Sequence, residues 1–208
     1  MSSTSKSINA HTDSRRGILD RLNTQSLDVP ALPDADVKKL IRFDDPLKRF
    51  EEVLATVGGE MHLIDHPGQA AEILAGIEVF ADAKRIASVV PDAVQGTVDL
   101  SMVDDPHSLA SLDWMIARGE FMVAENGAIW IEGQTLPHRV LIFIAQYLAI
   151  FVSRSDIVHN MHEAYDRIGQ PAPGFGVFVS GPSKTADIEQ SLVLGAHGCR
   201  KLQVFVVN

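Results

Sequence analysis

The sequence predicts an α/β protein: a mostly parallel mixed sheet flanked by helices, preceded by an N-terminal helical extension. Three observations point there. Apolar, β-branched blocks alternate with segments whose apolar residues recur at helical spacing, the pattern of parallel strands covered on both faces. One Asn-Gly pair, Asn126-Gly127, separates two apolar blocks and marks an antiparallel hairpin within that sheet. The 208 residues, 46% hydrophobic and 22% charged, suffice for one domain that buries roughly 70% of the surface of its unfolded chain.

In chain order, residues 1–13 read as a polar, flexible lead. Asp13 or Ser14 can cap a short helix carrying Ile18, Leu19 and Leu22 on one face. Residues 25–45, with Pro30 and Pro33, read as an extended connector. Residues 1–45 are thus leader, short helix and connector, and 46–208 are the folded domain. Pro46 suits the first turn of a helix bearing Leu47, Phe50, Leu54 and Val57, which Gly58-Gly59 ends. A strand over 61–64 and a helix over 67–75 follow. Strands are expected over 85–90 and 98–103, with helical material over 106–112. Three short apolar blocks come next: 114–117, 121–124 and 128–132. A buried strand covers 148–152, and Ser155 or Asp156 caps a helix reaching Ile168, with Ile157, Met161 and Tyr165 on its stripe. Late strands over 177–180 and 202–207 flank a helix from Ala186 to Gly195.

The formal charge is −9, from 18 Lys plus Arg against 27 Asp plus Glu. Such a surface repels phosphate backbones, and no basic run is longer than two residues, so no nucleic-acid partner is expected. The most apolar run, Val140 to Val152, has 13 residues, short of the about 20 that a membrane-spanning helix requires. It reads as buried core, with no membrane span. Cys199 is the one cysteine. It cannot form an internal disulfide, and about four thiolates are needed for an ordinary iron–sulfur cluster. A lone thiol and a polar N-terminus fit a cytoplasmic protein.

The segment from Gly181 to Gly198, GPSKTADIEQSLVLGAHG, is the most distinctive. It follows an expected strand and opens an expected helix. That junction is either a small-anion site, with Gly181, Ser183, Lys184, Thr185, Asp187 and His197 around the ligand, or an ordinary capped helix start. His197 lies between glycines that let the backbone close on a ligand. His159 and His162 lie three apart rather than the four usual for a helical zinc pair, and no third ligand is evident, so no metal is expected. Trp114 and Trp130 read as packing area for the central sheet.

The same segment is similar to the C-terminal signature of the LUD family, which includes the lactate utilization protein C group. That signature runs Gly-Pro-Ser, a basic residue, Thr-Ala-Asp-Ile-Glu, a Leu/Val-rich turn and Gly-x-His-Gly. Where family members show Pro after the last His-Gly, this chain has Cys199, a change that bears on loop rigidity. Ala124-Glu125-Asn126-Gly127-Ala128 resembles the family's Ala-Glu-Thr-Gly-Thr, departing from it at Asn126 and Ala128. Leu136-Pro137-His138-Arg139 stands where the family has a Leu-Pro and His region.

The resemblance implies a fold shared with ribose-phosphate isomerases, sugar-phosphate deaminases and CoA transferases. In some CoA transferases the catalytic Glu lies in Ser-Glu-Asn-Gly, which Glu125-Asn126-Gly127 resembles. Glu125 is therefore the candidate catalytic nucleophile, with Asn126 and Gly127 beside the ligand, or else a Glu that faces water from a hairpin turn. The resemblance further implies an accessory role in oxidation of L-lactate to pyruvate, with iron–sulfur subunits as partners and no cofactor on this chain. An independent CoA-transfer or sugar-phosphate enzyme and a carboxylate-sensing binding module are the other readings. Whether the chain is catalytic by itself stays open, and an oligomer is compatible with all three.

Overall fold

The structure, a computed structural model, describes residues 6–24, 39–169, 174–182, 184–186, 192–194 and 198–208. The chain divides into two units, 1–38 and 39–208. In the first, helix α1 spans Lys6–Thr24, so it begins well before the expected cap at Asp13 or Ser14. Nothing between Lys6 and Arg16 breaks a helix, and the single interior Gly17 costs only about 1 kcal/mol. Ile18, Leu19 and Leu22 are exposed on it.

The second unit holds two sheets. The larger has five strands: β1 (Gly59–Ile64), β2 (Ile86–Ser88), β3 (Trp114–Arg118), β6 (Tyr147–Ser153) and β11 (Lys201–Val207). Their order is β1-β11-β6-β3-β2, and every neighbouring pair is parallel. The smaller sheet has the order β7-β4-β5-β8, from β4 (Phe121–Val123), β5 (Ala128–Glu132), β7 (Ile157–Val158) and β8 (Gly176–Val179). The Asn126-Gly127 hairpin joins β4 to β5, antiparallel as expected. It belongs to this separate sheet and not to an edge of the first.

The parallel strands are continuous apolar runs because both faces are covered. One face carries Met115, Leu148, Ile150, Val204 and Val206 against α2 (Pro46–Thr56) and α5 (Leu141–Ile144). The other carries Trp114, Ile116, Phe151 and Phe205 against α3 (Gln69–Ala75) and α4 (Glu78–Ala81). Phe50 and Leu54 of α2 are fully buried, each contributing about 1.5–3 kcal/mol of apolar burial. The Asp45 side chain caps α2 by accepting the Lys48 N–H at 3.0 Å, ahead of Pro46 at the first helical position. The run from Val140 to Val152 is core as read, and its buried residues include Leu141, Leu148, Ile150 and Val152.

Several expected elements differ. Residues 98–103 are no strand; they contain a 3-10 turn at Leu100–Met102, because Asp99 accepts from both the backbone N–H and the hydroxyl of Ser101. Pro106–Leu109 is likewise a 3-10 turn, capped by Asp105, which accepts the His107 N–H. These hydrogen bonds hold both carboxyls below the usual carboxylate range. Both caps are therefore present at neutral pH and are lost as the pH falls through those lowered values.

The helix expected from Ser155 starts at Met161: α6 is Met161–Ile168. Ile157 and Val158 are instead strand β7, because Met122 and Ala124 donate backbone N–H groups to Asp156 and Val158. Pairing overrides the helical stripe there. The helix expected over Ala186 to Gly195 falls largely outside the described residues, which omit 187–191 and 195. Among the described residues that stretch has β9 (Lys184–Ala186) and β10 (Leu192–Leu194), paired antiparallel. Periodicity cannot separate a short apolar run in a strand from one in a helix.

The chain passes from the first sheet to the second at Arg118-Gly119-Glu120. The N–H of Gly119 bonds to Phe151 in the parallel sheet, and that of Glu120 to Trp130 in the other. A Cβ on Gly119 would lie 2.4 Å from Ile129 Cγ2 and 3.2 Å from Ile150 Cγ2. Gly119→Ala is expected to cost about 1–3 kcal/mol by overpacking, read as a lower urea midpoint at unchanged slope. A midpoint within error of wild type would show that this corner can open to admit a methyl group.

Candidate functional site

Glu125, Asn126 and Gly127 form the tip of the β4–β5 hairpin, a loop whose last residue, Gly127, has φ 66 and bonds back to Val123 at 3.0 Å. The Asn126 side chain accepts the Ala128 N–H at 3.1 Å. Gly127 abuts the backbone of α2, and a Cβ would sit 3.0 Å from the Leu54 nitrogen. Both the positive φ and the lack of room require glycine.

The start of the Gly181 segment meets this tip. Ser180 donates its hydroxyl to the Asn126 carbonyl at 2.8 Å. Gly181, at φ 74, passes so close to the end of α2 that a Cβ would lie 2.5 Å from the Val57 carbonyl oxygen. Asn126, Gly127 and Gly181 therefore share one corner. Lys184 and Thr185 follow in strand β9, paired with Leu194 and Val193. Ser183, Asp187 and His197 lie outside the described residues. Lys184–Ala186 is a strand, so the expected helix does not open at Lys184, and residues 187–191 lie outside the described residues.

The Glu125 side chain points to α6. Its Oε2 accepts the backbone N–H of Met161 at 2.9 Å, while its own N–H donates to the His159 carbonyl at 3.1 Å. Asn160 caps the same helix by accepting the Glu163 N–H at 3.0 Å, and it donates to the Ile41 carbonyl at 2.9 Å. Glu163 reaches back to the His159 N–H at 2.9 Å and pairs with Arg42. Two carboxylates thus sit at the positive end of the helix dipole, worth about 0.3–1 kcal/mol each. This N-terminus is filled by the protein's own acids and offers no place for another anion.

His159 completes the cluster. Its Nδ1 accepts the Phe43 N–H at 3.1 Å, and the two rings stack at 6.4 Å. With Nδ1 an acceptor, His159 holds a chain segment rather than a metal. Among the described residues no three His, Cys, Asp or Glu side chains are grouped as metal ligands. Cys199 is buried in the main core. Among the described residues no helix is long and apolar enough to cross a membrane. Arg42, Phe43, Asn160 and Glu163 were not singled out in the sequence, although Asn160-x-x-Glu163 is the spacing of a capping box.

A family model for the LUD domain matches residues 81–207, which include every site residue expected from the sequence. The chain belongs to the LUD domain family. Lactate utilization protein C of Anoxybacillus flavithermus is 30% identical over 160 residues, covering 76% of this chain and 68% of that protein. The protein of the same name from Bacillus pumilus is 31% identical over 91 residues, and that from Bacillus subtilis 33% over 100. These matches span only 38% and 41% of those two relatives. The crystal structure of a DUF162 family protein from Deinococcus radiodurans superposes with a TM-score of 0.61 at 20% identity, covering 78% of this chain and 96% of that one. The α/β fold is thus shared with that DUF162 family protein.

Asn160, 1% exposed, links the α6 cap to the Ile41 segment. Asn160→Ala is expected to cost about 1–3 kcal/mol in denaturant unfolding, since two part-buried hydrogen bonds to the backbone are lost. Glu125→Ala should cost about 0.5–2 kcal/mol and Glu125→Gln far less, because the amide oxygen still accepts the Met161 N–H. Equal losses for the two Glu125 variants would show that charge, not the hydrogen bond, secures the helix.

Proposed function

We propose that this chain serves lactate utilization as an accessory component of L-lactate oxidation to pyruvate, acting with iron–sulfur partner proteins. The observation that carries the reading is the likeness to lactate utilization protein C across 160 residues. One cysteine among 208 residues puts any cluster on the partners. The corner of Asn126, Gly127 and Gly181, with Ser183, Lys184, Thr185, Asp187 and His197 of the adjoining segment, is the place for a small carboxylate or other anion.

The engaged state of Glu125 favours this over acyl transfer. A nucleophilic carboxylate must present a free oxygen to an acyl carbon. Here one of the two oxygens, Oε2, is bonded to the Met161 N–H at 2.9 Å and the turn behind it is tied to His159, so attack would fall to Oε1 of a carboxylate already held in place. The exposure of Glu125 at a hairpin tip is what keeps the CoA-transfer reading as the second choice. A carboxylate-sensing module is the third, and it would be stabilised by ligand without turnover.

Growth on L-lactate as sole carbon source separates these. A strain lacking the gene should fail to grow, and wild type and Glu125→Gln, equally expressed, should both restore growth. Unimpaired growth of the deletion strain would remove the lactate role. Rescue by wild type but not by a stably folded Glu125→Gln would move the chemistry onto this chain.

A further inference from the structure

At the other end of α6 lies a cavity of about 560 Å³ that the reading above does not use. Its walls are aromatic: Trp130 and Phe121 from the smaller sheet and Tyr165 from α6. Tyr165 is 63% exposed, high for a ring packed edge-on against Phe178. Two half-buried carboxylates, Glu120 and Glu132, also line the space, and no ion pair engages either among the described residues. Among the described lining residues Arg167 is the one cation, and it is already neutralised. It pairs with Asp156 at 2.5 Å and stacks over the Phe121 ring at 4.9 Å.

We propose that this cavity binds a small organic cation, an ammonium group on an alkyl or flat body. The negative faces of indole and phenol rings attract a cation desolvated against them, and Glu120 and Glu132 supply formal charge of the right sign. The last turn of α6 borders the space through Ile168 and Gly169, so the negative end of the helix dipole adds to the same field. An anion would meet two unpaired carboxylates and a cation already occupied. The volume lies within the roughly 300–1,000 Å³ of small-molecule sites. The site is distinct from the Glu125 corner and does not rest on the lactate reading.

The chain has two tryptophans. Trp114 is 0% exposed, so the Trp130 indole resonance in an NMR titration of the full chain reports this cavity. Choline is expected to shift it saturably and leave the Trp114 resonance in place. The neutral carbon isostere of choline should bind about tenfold more weakly, and Glu120→Gln with Glu132→Gln should weaken choline by a similar factor. These isosteric changes on half-buried side chains preserve the fold, which the Trp114 resonance verifies. A shift that does not saturate, equal binding of the isostere, or indifference to the Glu→Gln changes overturns the proposal. A saturable response to L-lactate in place of choline also overturns it, because the cavity would then select anions through Arg167.

Discussion

Leu54 pins the two sheets together. It is fully buried in the core on one face of the parallel sheet, and its side chain fills the space in which Gly59, the first residue of β1, lacks a Cβ. Its backbone meets Gly127 at the hairpin tip of the second sheet. One residue of α2 therefore sets the spacing of the helix from both sheets. Interiors packed at crystal density transmit such a constraint instead of absorbing it. Gly181 repeats the arrangement one turn further along α2, against the Val57 carbonyl.

From that pin the rest of the candidate corner follows. With the hairpin tip held against α2, Glu125 is carried to the first turn of α6, where its carboxylate meets an N–H that the helix itself cannot satisfy. Asn160 and Glu163 take further N–H groups and tie the Ile41 to Phe43 segment to the same place. Five chain segments distant in sequence converge there: 41–43, the end of α2, the 125–127 turn, the start of α6, and 180–182. Convergence of this kind serves binding and stability alike. What distinguishes the two is whether polar groups are left over, and at the first turn of α6 they are largely consumed by one another.

Much of this was legible in the sequence. Parallel strands announce themselves as continuous apolar runs, and the glycine-bearing Asn126-Gly127 turn specified its hairpin correctly. Trp114 proved to be core, as its apolar neighbours implied, whereas half-exposed Trp130 turned out to border a cavity. What was not legible depends on partners that no local pattern encodes. Ile157 and Val158 fit a helical stripe, yet pairing with Met122 and Val123 made them strand. The Val98 to Val103 strand failed because Asp99 and Ser101 satisfied each other locally. The hairpin was placed in one sheet with the parallel strands, since nothing in the spacing of apolar blocks tells a bent sheet from two. Gly119 held that information, but its meaning lies in Ile129 and Ile150, ten and thirty-one residues away.

The two ends of α6 have opposite electrostatic demands, and the sequence meets them with the same residue type. Glu125 and Glu163 at the N-terminal end complement the positive end of the dipole and are satisfied there. At the C-terminal end, complementing the dipole calls for a cation. Arg167 stands there, but its guanidinium is paired with Asp156 and lies over the Phe121 ring. Glu120 and Glu132 then add negative charge where the helix already supplies some. A fold under selection for stability alone would place lysine or arginine at such positions, since each unpaired acid costs burial without a compensating partner. The imbalance is local and borders an open aromatic space, where among the described residues no ion pair engages Glu120 or Glu132.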